Sequence, residues 1–285
     1  MGWPDGSSGR AAPLTSLVGM SVRFVKGHGT ENDFVLVPDP HDELDIGPDA
    51  VRAICDRRAG IGGDGLIRVA TAPSGGWFMD YRNSDGSLAE MCGNGVRVFA
   101  RYLVDSGLES RREFVVHTRA GERAVTVADD LVTVEMGRAA LGVRSTATVT
   151  GTTLDGTAVD VGNPHLVCPV DDVDALDLST APGFDAAVFP HGVNVEFVTR
   201  TAPDAVRFRV FERGSGETRS CGTGIVAAAA ATLDGGTGTV TVDTPGGRTW
   251  ATITDTGATL CGPAVLVASG EIDDRWLAPL LPTRV

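Results

Sequence analysis

The chain has 285 residues, 42% of them hydrophobic, with a formal net charge of −13 and a pI near 4.7. Its length exceeds one ordinary core and predicts two domains, and its acidic balance, uninterrupted by any basic tract, excludes nucleic acid and anionic membrane surfaces as partners. No apolar run approaches the roughly 20 residues that span a bilayer.

Residues 1–19 read as a disordered Gly/Ser/Pro leader and not as a signal peptide, because Pro13, Thr15 and Ser16 interrupt their one apolar stretch. Thr30 to Val35 leads into a strand-like run. A helix-like segment, 51–58, precedes Gly60-Ile61-Gly62-Gly63-Asp64-Gly65, and a strand over 66–70 follows. That order is the reverse of a dinucleotide site, which needs strand, glycines, then helix. Next come Trp77 to Asn83, a Ser/Asp/Gly loop, and Met91-Cys92-Gly93-Asn94-Gly95, where a helix over 96–105 closes near Gly107. Alternating strands separated by turns at 119–121 and 128–130 then read as hairpins.

After a hinge near Gly137 to Gly142 the pattern returns. Gly192 to Val198 is followed by Arg207 to Arg213, a Gly/Ser loop, and Ser220-Cys221-Gly222-Thr223-Gly224. The helix over 225–233 carries no charge and five consecutive alanines, the composition of a buried helix. Hairpins with turns at 245–247 and 255–257 complete it. The order asparagine, strand, polar residue, glycine loop, cysteine occurs twice, with Asn32 paired to Asn194 in this reading.

The fold class expected is α+β: two similar domains, each a curled, mostly antiparallel, barrel-like sheet around a central buried helix. The two are pseudo-twofold related, with the active site in the cleft between them. The boundaries expected are 20–137 for the N-terminal domain, 138–271 for the C-terminal domain, and 272–285 returning to the first.

Each cysteine precedes a Gly-x-Gly that opens a helix, where free amides and the positive dipole end bind anions. Two thiols in equivalent half-sites fit the removal of a proton from one face of a carbon and its return to the other. Cys92 and Cys221 are therefore the catalytic candidates, one thiolate and one thiol at the start of each turnover, and the helix ends are expected to favour the thiolate. The amides around Gly93-Asn94 and Gly222-Thr223 are candidates for holding a carboxylate and its developing enediolate. Lys26 is the one lysine among 24 Lys and Arg residues, so a pyridoxal Schiff base has a single candidate. Five cysteines without a CxxC do not form a disulfide framework and suit a reducing cytoplasm. Cys55, Cys168 and Cys261 lack the duplicated context and read as core. No metal or nucleotide motif is present, and no cofactor is expected.

MCGNGVRVFARYL and ERGSGETRSCGTG, with HGTENDFVLV, DRRAGIGGDGL, VGNPHLV and HGVNVEFV, resemble the diaminopimelate epimerase family over about residues 21 to 275. The resemblance implies pyridoxal-independent interconversion of LL- and meso-diaminopimelate in lysine and peptidoglycan precursor synthesis, a cytoplasmic homodimer, and substrate contacts at Asn32, Asn83, Asn163 and Asn194. It also implies that Arg213 clamps the distal carboxylate, that Glu212 meets an ammonium group or takes a proton from Cys221, and that His165 serves Cys92 likewise. Many family members carry a larger polar residue where Gly65 stands here, so no substrate contact is carried to it. Two other readings stand beside this one. The first is a related pyridoxal-independent racemase for another amino acid; the second is a non-catalytic amino-acid-binding or thiol-redox protein.

Overall fold

The computed structural model describes residues 22–281. The expected leader over 1–19, and the part of the expected return that falls on 282–285, lie outside the described residues. In chain order the first half comprises β1 (Val22–Gly29), β2 (Asn32–Pro38), α1 (Pro48–Cys55), β3 (Gly65–Thr71), β4 (Trp77–Asn83), α2 (Gly93–Asp105), β5 (Glu113–Thr118), β6 (Gly121–Ala128) and β7 (Leu131–Gly137). The second comprises β8 (Ala140–Val149), β9 (Thr152–Asp160), β10 (Pro164–Pro169), the two-residue β11 (Gly183–Phe184), β12 (Asn194–Ala202), β13 (Ala205–Glu212), β14 (Gly216–Thr218), α3 (Gly222–Thr232), β15 (Gly238–Thr244), β16 (Gly247–Ile253) and β17 (Ala258–Pro263). β18 (Val265–Ile272) and α4 (Asp274–Leu277) follow.

The apolar run of β2 is buried on both faces, as continuous strand hydrophobicity requires. Phe34 and Leu36, with Ile67 and Val69 of β3, face the core that contains α2, while Val35, Val37 and Leu66 pack against Val51 and Ile54 of α1. α3 is wrapped by the second sheet, and its alanines 227–230 are all buried. Small side chains all round let strands approach this helix from every side.

Strand pairing makes the duplication explicit. In the first half β1 and β2 are antiparallel, β2 and β3 parallel, β3 and β4 antiparallel, β4 and β5 parallel, and β5, β6 and β7 form a meander. In the second half β9, β10, β12, β13, β15, β16 and β17 repeat that sequence of pairings. β7 and β17 pair antiparallel and join the halves.

The first strand of each half comes from across this junction. β7 leads after two residues into β8, which pairs with β9, whereas β17 leads through Ala264 into β18, which pairs with β1. The return to the first half thus begins at Val265, seven residues before the expected 272. Local sequence could not show it, because β18 reads as one more strand of the second meander.

The pairings also correct the internal alignment. Phe34 of β2 lies opposite Gly65, and His165 of β10 lies opposite Asn194. Asn32 therefore corresponds to Asn163, Phe34 to His165, Gly65 to Asn194 and Ile67 to Glu196. Asn83 and Glu212, each nine residues before its cysteine, correspond as well.

Candidate active site

Both cysteines are the N-cap residues of their helices, in extended backbone conformation. The helices begin at Gly93 and Gly222, so each Gly-x-Gly opens its helix and the apolar segments from 96 and 225 continue it. A Cβ added at Gly222 would lie 3.2 Å from Gly93 Cα and 3.3 Å from the Asn94 amide nitrogen. The two helix N-termini therefore meet backbone to backbone, and a side chain at Gly222 would press them apart by a few tenths of an ångström. All five cysteines are free.

The floor between the halves is tied by polar contacts. The buried Asn94 amide donates to the Ser220 carbonyl at 3.1 Å, and Thr30 and Ser220 hydroxyls share a bond of 2.7 Å. Thr30 and Glu31 both adopt positive φ, 49° and 60°. This strained turn seats Thr30 against Gly246, where a Cβ would fall 1.9 Å from the Thr30 carbonyl oxygen. Arg97 of α2 has no exposed surface; it donates to Thr30 Oγ1 at 3.1 Å and to the Pro263 carbonyl at 3.3 Å. Burial pulls its guanidinium down to about 10, and the nearby Cys92 and Cys261 sulfurs act in the opposite direction.

Around Cys92, the thiol donates to Asn32 Oδ1 at 3.4 Å. The orientation of that amide is fixed from behind, since Asn32 Nδ2 donates to Asp64 Oδ2 at 2.7 Å and a carboxylate only accepts. Arg57 bridges Asp33 and Asp64, and Lys26 pairs with Asp33 and reaches the Gly62 carbonyl. Burial acts to raise Asp33, but Arg57 and Lys26 outweigh it and hold the carboxyl well below its usual range. The glycine loop rejected as a dinucleotide motif thus buttresses Asn32. Asn83 closes β4 and donates to Ser87 Oγ at 3.0 Å.

Around Cys221, the buried Glu212 carboxyl accepts from Thr218 and lies beside the Cys221 thiol, which acts to lower it while burial raises it. Thr223 Oγ1 lies 3.6 Å from Cys221 Sγ and accepts from Asn163 Nδ2 at 3.4 Å. Asn194 accepts from the Arg213 amide at 2.9 Å and donates to the Pro164 carbonyl, while the Arg213 guanidinium donates to the His191 carbonyl at 3.0 Å. Asn194 thus sets the path of the chain at Arg213.

Two expectations need correction. Burial pushes the Cys92 thiol up to about 11, although the Gly95 and Asn94 amides pull it down; Glu212 adds to the rise. Cys221 is raised well above its ordinary value by burial, then by Glu212 and Glu196. The helix ends lower both thiols, but desolvation by burial outweighs them. The hydrogen bonds of His165 run to Glu196 Oε1 at 2.6 Å and Asn163 Oδ1 at 2.9 Å, toward the Cys221 side and not to the Cys92 thiol. The pseudo-twofold explains this, because the place of His165 in the half that carries Cys92 is taken by Phe34.

Several residues near the site escaped sequence reasoning. Thr30, Ser220, Arg97 and Glu196 contact it only through pairings across the fold. Tyr81 is 8% exposed and stacks edge-on against Phe34; burial raises its phenol, and Cys92, Glu212 and Asp64 act in the same direction. A Cβ at Gly65 would fall 2.6 Å from the Tyr81 ring and 2.5 Å from the Arg82 carbonyl oxygen. The Arg82 carbonyl and the Tyr81 ring thus close this position to any side chain.

Two like halves, each presenting a thiol at an inner helix end, place the chain in the fold class of two-domain racemases and epimerases. A hydroxyproline epimerase from Agrobacterium vitis, solved with bound trans-4-hydroxy-L-proline, aligns with TM-score 0.65 and 13% identity over 90% of this chain and 93% of that one. A PhzF-family phenazine biosynthesis protein from Bacillus anthracis aligns with TM-score 0.68 and 14% identity over 89% and 99%. Sequence narrows the class. The diaminopimelate epimerase family profile matches residues 24–142 and 157–271, and the diaminopimelate epimerases of Rhodococcus jostii and Mycolicibacterium smegmatis are 54% and 52% identical, each over 89% of this chain and 98% and 97% of their own length. The chain belongs to the diaminopimelate epimerase family.

Proposed function

We propose that the protein epimerises LL-2,6-diaminopimelate to meso-2,6-diaminopimelate without a cofactor, using Cys92 and Cys221 as the two acid/base groups. The observation that carries this reading is the meeting of the two helix N-termini at Gly93 and Gly222, each capped by a cysteine. One cysteine, as thiolate, takes the α-proton from one face; the other, as thiol, gives a proton to the opposite face. The roles exchange with direction. The carbanion's charge passes into the adjacent carboxylate, where the amides of Gly93, Asn94, Gly222 and Thr223 receive it.

Glu212 accepts the Cys221 proton, and its own raised pKa, set by burial, suits it to hold one. The fully buried Arg97 cation faces Cys92 and stabilises the thiolate there. Asn32, Asn83, Asn163, Asn194 and Arg213 hold the distal amino and carboxylate groups. The same reading places the protein as a homodimer in the cytoplasm, supplying lysine and peptidoglycan precursors. Among the described residues no helix is long and apolar enough to cross a membrane.

The test is a substrate panel. Purified protein is incubated with LL-diaminopimelate, L-proline and L-histidine, and isomers are resolved by chiral chromatography. Interconversion of diaminopimelate alone is expected; turnover of proline or histidine in its place would assign the chain a different substrate.

A further inference from the structure

The duplication supplies an internal control for every residue at the site. Gly95 and Gly224 occupy the same place in α2 and α3. A Cβ at Gly95 would meet apolar atoms: Met79 Cε at 2.8 Å, Ile67 Cδ1 at 3.3 Å and Phe34 Cζ at 3.5 Å. A Cβ at Gly224 would instead meet Glu196 Oε1 at 2.7 Å and Cys221 Cβ at 3.3 Å. Where the first half buries Phe34 and Ile67, the second buries His165 and Glu196, both with no exposed surface. An ionisable pair in a place that hydrocarbon fills in the sister half is costly to keep.

The hydrogen-bond geometry shows what the pair does. Glu196 Oε1 and His165 Nδ1 are 2.6 Å apart with one proton between them, and His165 Nε2 faces Asn163 Oδ1, which only accepts, so Nε2 carries hydrogen and the pair is either carboxylic acid with imidazole or carboxylate with imidazolium. Glu196 Oε2 has no partner among the described residues, which favours the neutral acid. In both forms Nδ1 is satisfied and Nε2 carries hydrogen. Nε2 then donates to Asn163 Oδ1 at 2.9 Å, which turns the Asn163 amide nitrogen toward Thr223 Oγ1 at 3.4 Å. With its lone pair used by Asn163, the Thr223 hydroxyl is free to donate to Cys221 Sγ, 3.6 Å away.

We propose that Glu196 is a positioning residue for the reaction: by locking the tautomer of His165 it points the chain His165, Asn163, Thr223 toward Cys221, giving that sulfur a donor. Asn94 stands where Thr223 stands in the sister half, and its amide is spent on Asn32 and Ser220. The two thiols are thereby made unequal within a symmetric frame. The titratable groups facing Cys221 are Glu212 from β13, Glu196 from β12, His165 from β10 and Cys92 across the helix contact. The His165–Glu196 pair is neutral overall in either form, so removing both members changes polarity and leaves net charge unaltered.

This inference rests on the assignment of Cys221 as an acid/base group, but its test does not need turnover. Iodoacetamide labelling of the intact chain at a fixed alkaline pH, read by peptide mass spectrometry, gives separate rates for Cys92 and Cys221. Three variants are compared with wild type: Glu196→Leu, which leaves His165 Nδ1 without a partner, the double replacement His165→Phe with Glu196→Ile that copies the sister half, and Thr223→Val. Loss of the hydroxyl donor is expected to slow Cys221 labelling about tenfold, the equivalent of one pKa unit, while Cys92 keeps its rate within about twofold. Adding Thr223→Val to Glu196→Leu should produce no further loss, since both break one chain. In parallel, kcat falls with KM nearly unchanged. An unchanged Cys221 rate in Thr223→Val, or additive losses in the combined variant, would overturn the proposal. A wild type that does not turn over diaminopimelate, yet shows the labelling pattern, would instead refute the assigned activity and leave the relay standing.

Discussion

The resting site should hold two thiols, and iodoacetamide labelling across pH measures it. Burial lifts Cys92 from an ordinary 9.0 to about 11. At pH 8 the thiolate fraction of an ordinary cysteine is about one in ten, and at a pKa of about 11 it is about one in a thousand. Cys92 should thus react about a hundredfold more slowly than a free thiol, and its rate should climb about tenfold per pH unit up to pH ~10.5. Cys221, raised by burial and then by Glu212 and Glu196, should also react more slowly than a free thiol. The sign carries over to stability. An acid whose folded pKa is raised keeps its contribution below the unfolded pKa and loses it as pH rises toward the folded one. For Cys92 about 2–3 kcal/mol should be lost between pH ~9 and ~11. Plateaued labelling of either site cysteine by pH 8, together with a thiolate absorbance near 240 nm, would refute the reasoning that desolvation outweighs the helix ends.

Further outcomes follow from the same geometry. Cys92→Ala and Cys221→Ala should each abolish epimerisation while preserving circular dichroism, since each thiol serves one face; normal turnover by either contradicts the pairing. Gly222→Ala places a methyl 3.2 Å from Gly93 Cα, so the helix ends must part by a few tenths of an ångström, and kcat should fall about tenfold or more; wild-type kcat would show that this contact does not position the thiols. Lys26→Arg should retain substantial activity, with no pyridoxal absorbance near 400 nm in the wild type, because the ammonium pairs with Asp33 and the Gly62 carbonyl; a chromophore discharged by borohydride would reverse that conclusion.

The halves and their thiols were legible because the cysteine motifs and the hairpins after them are local patterns, repeated at a fixed offset. The correspondence of Asn32 was misjudged because Asn163 and Asn194 both open strands, and only parallel pairing with β12 identifies β10 as the counterpart of β2. The origin of β18 was hidden for a similar reason, since a strand's sequence does not name its partner. The thiolate expectation failed on a different point: a helix N-terminus can be read from Cys-Gly-x-Gly, but the burial that opposes it comes from both halves closing together. Glu196 was invisible because alternation alone gives its position an apolar reading, as at Ile67.

The most direct test of the two-thiol account is epimerisation of LL-diaminopimelate in D₂O, with product and remaining substrate analysed separately by mass spectrometry at low conversion. Removal of the proton by one thiolate and delivery from the other, solvent-equilibrated thiol predict one deuterium at the inverted α-carbon of meso-diaminopimelate and almost none in unreacted substrate. Meso product formed with its original α-hydrogen, or substrate and product labelled equally from the start, would contradict a site in which Cys92 and Cys221 act on opposite faces.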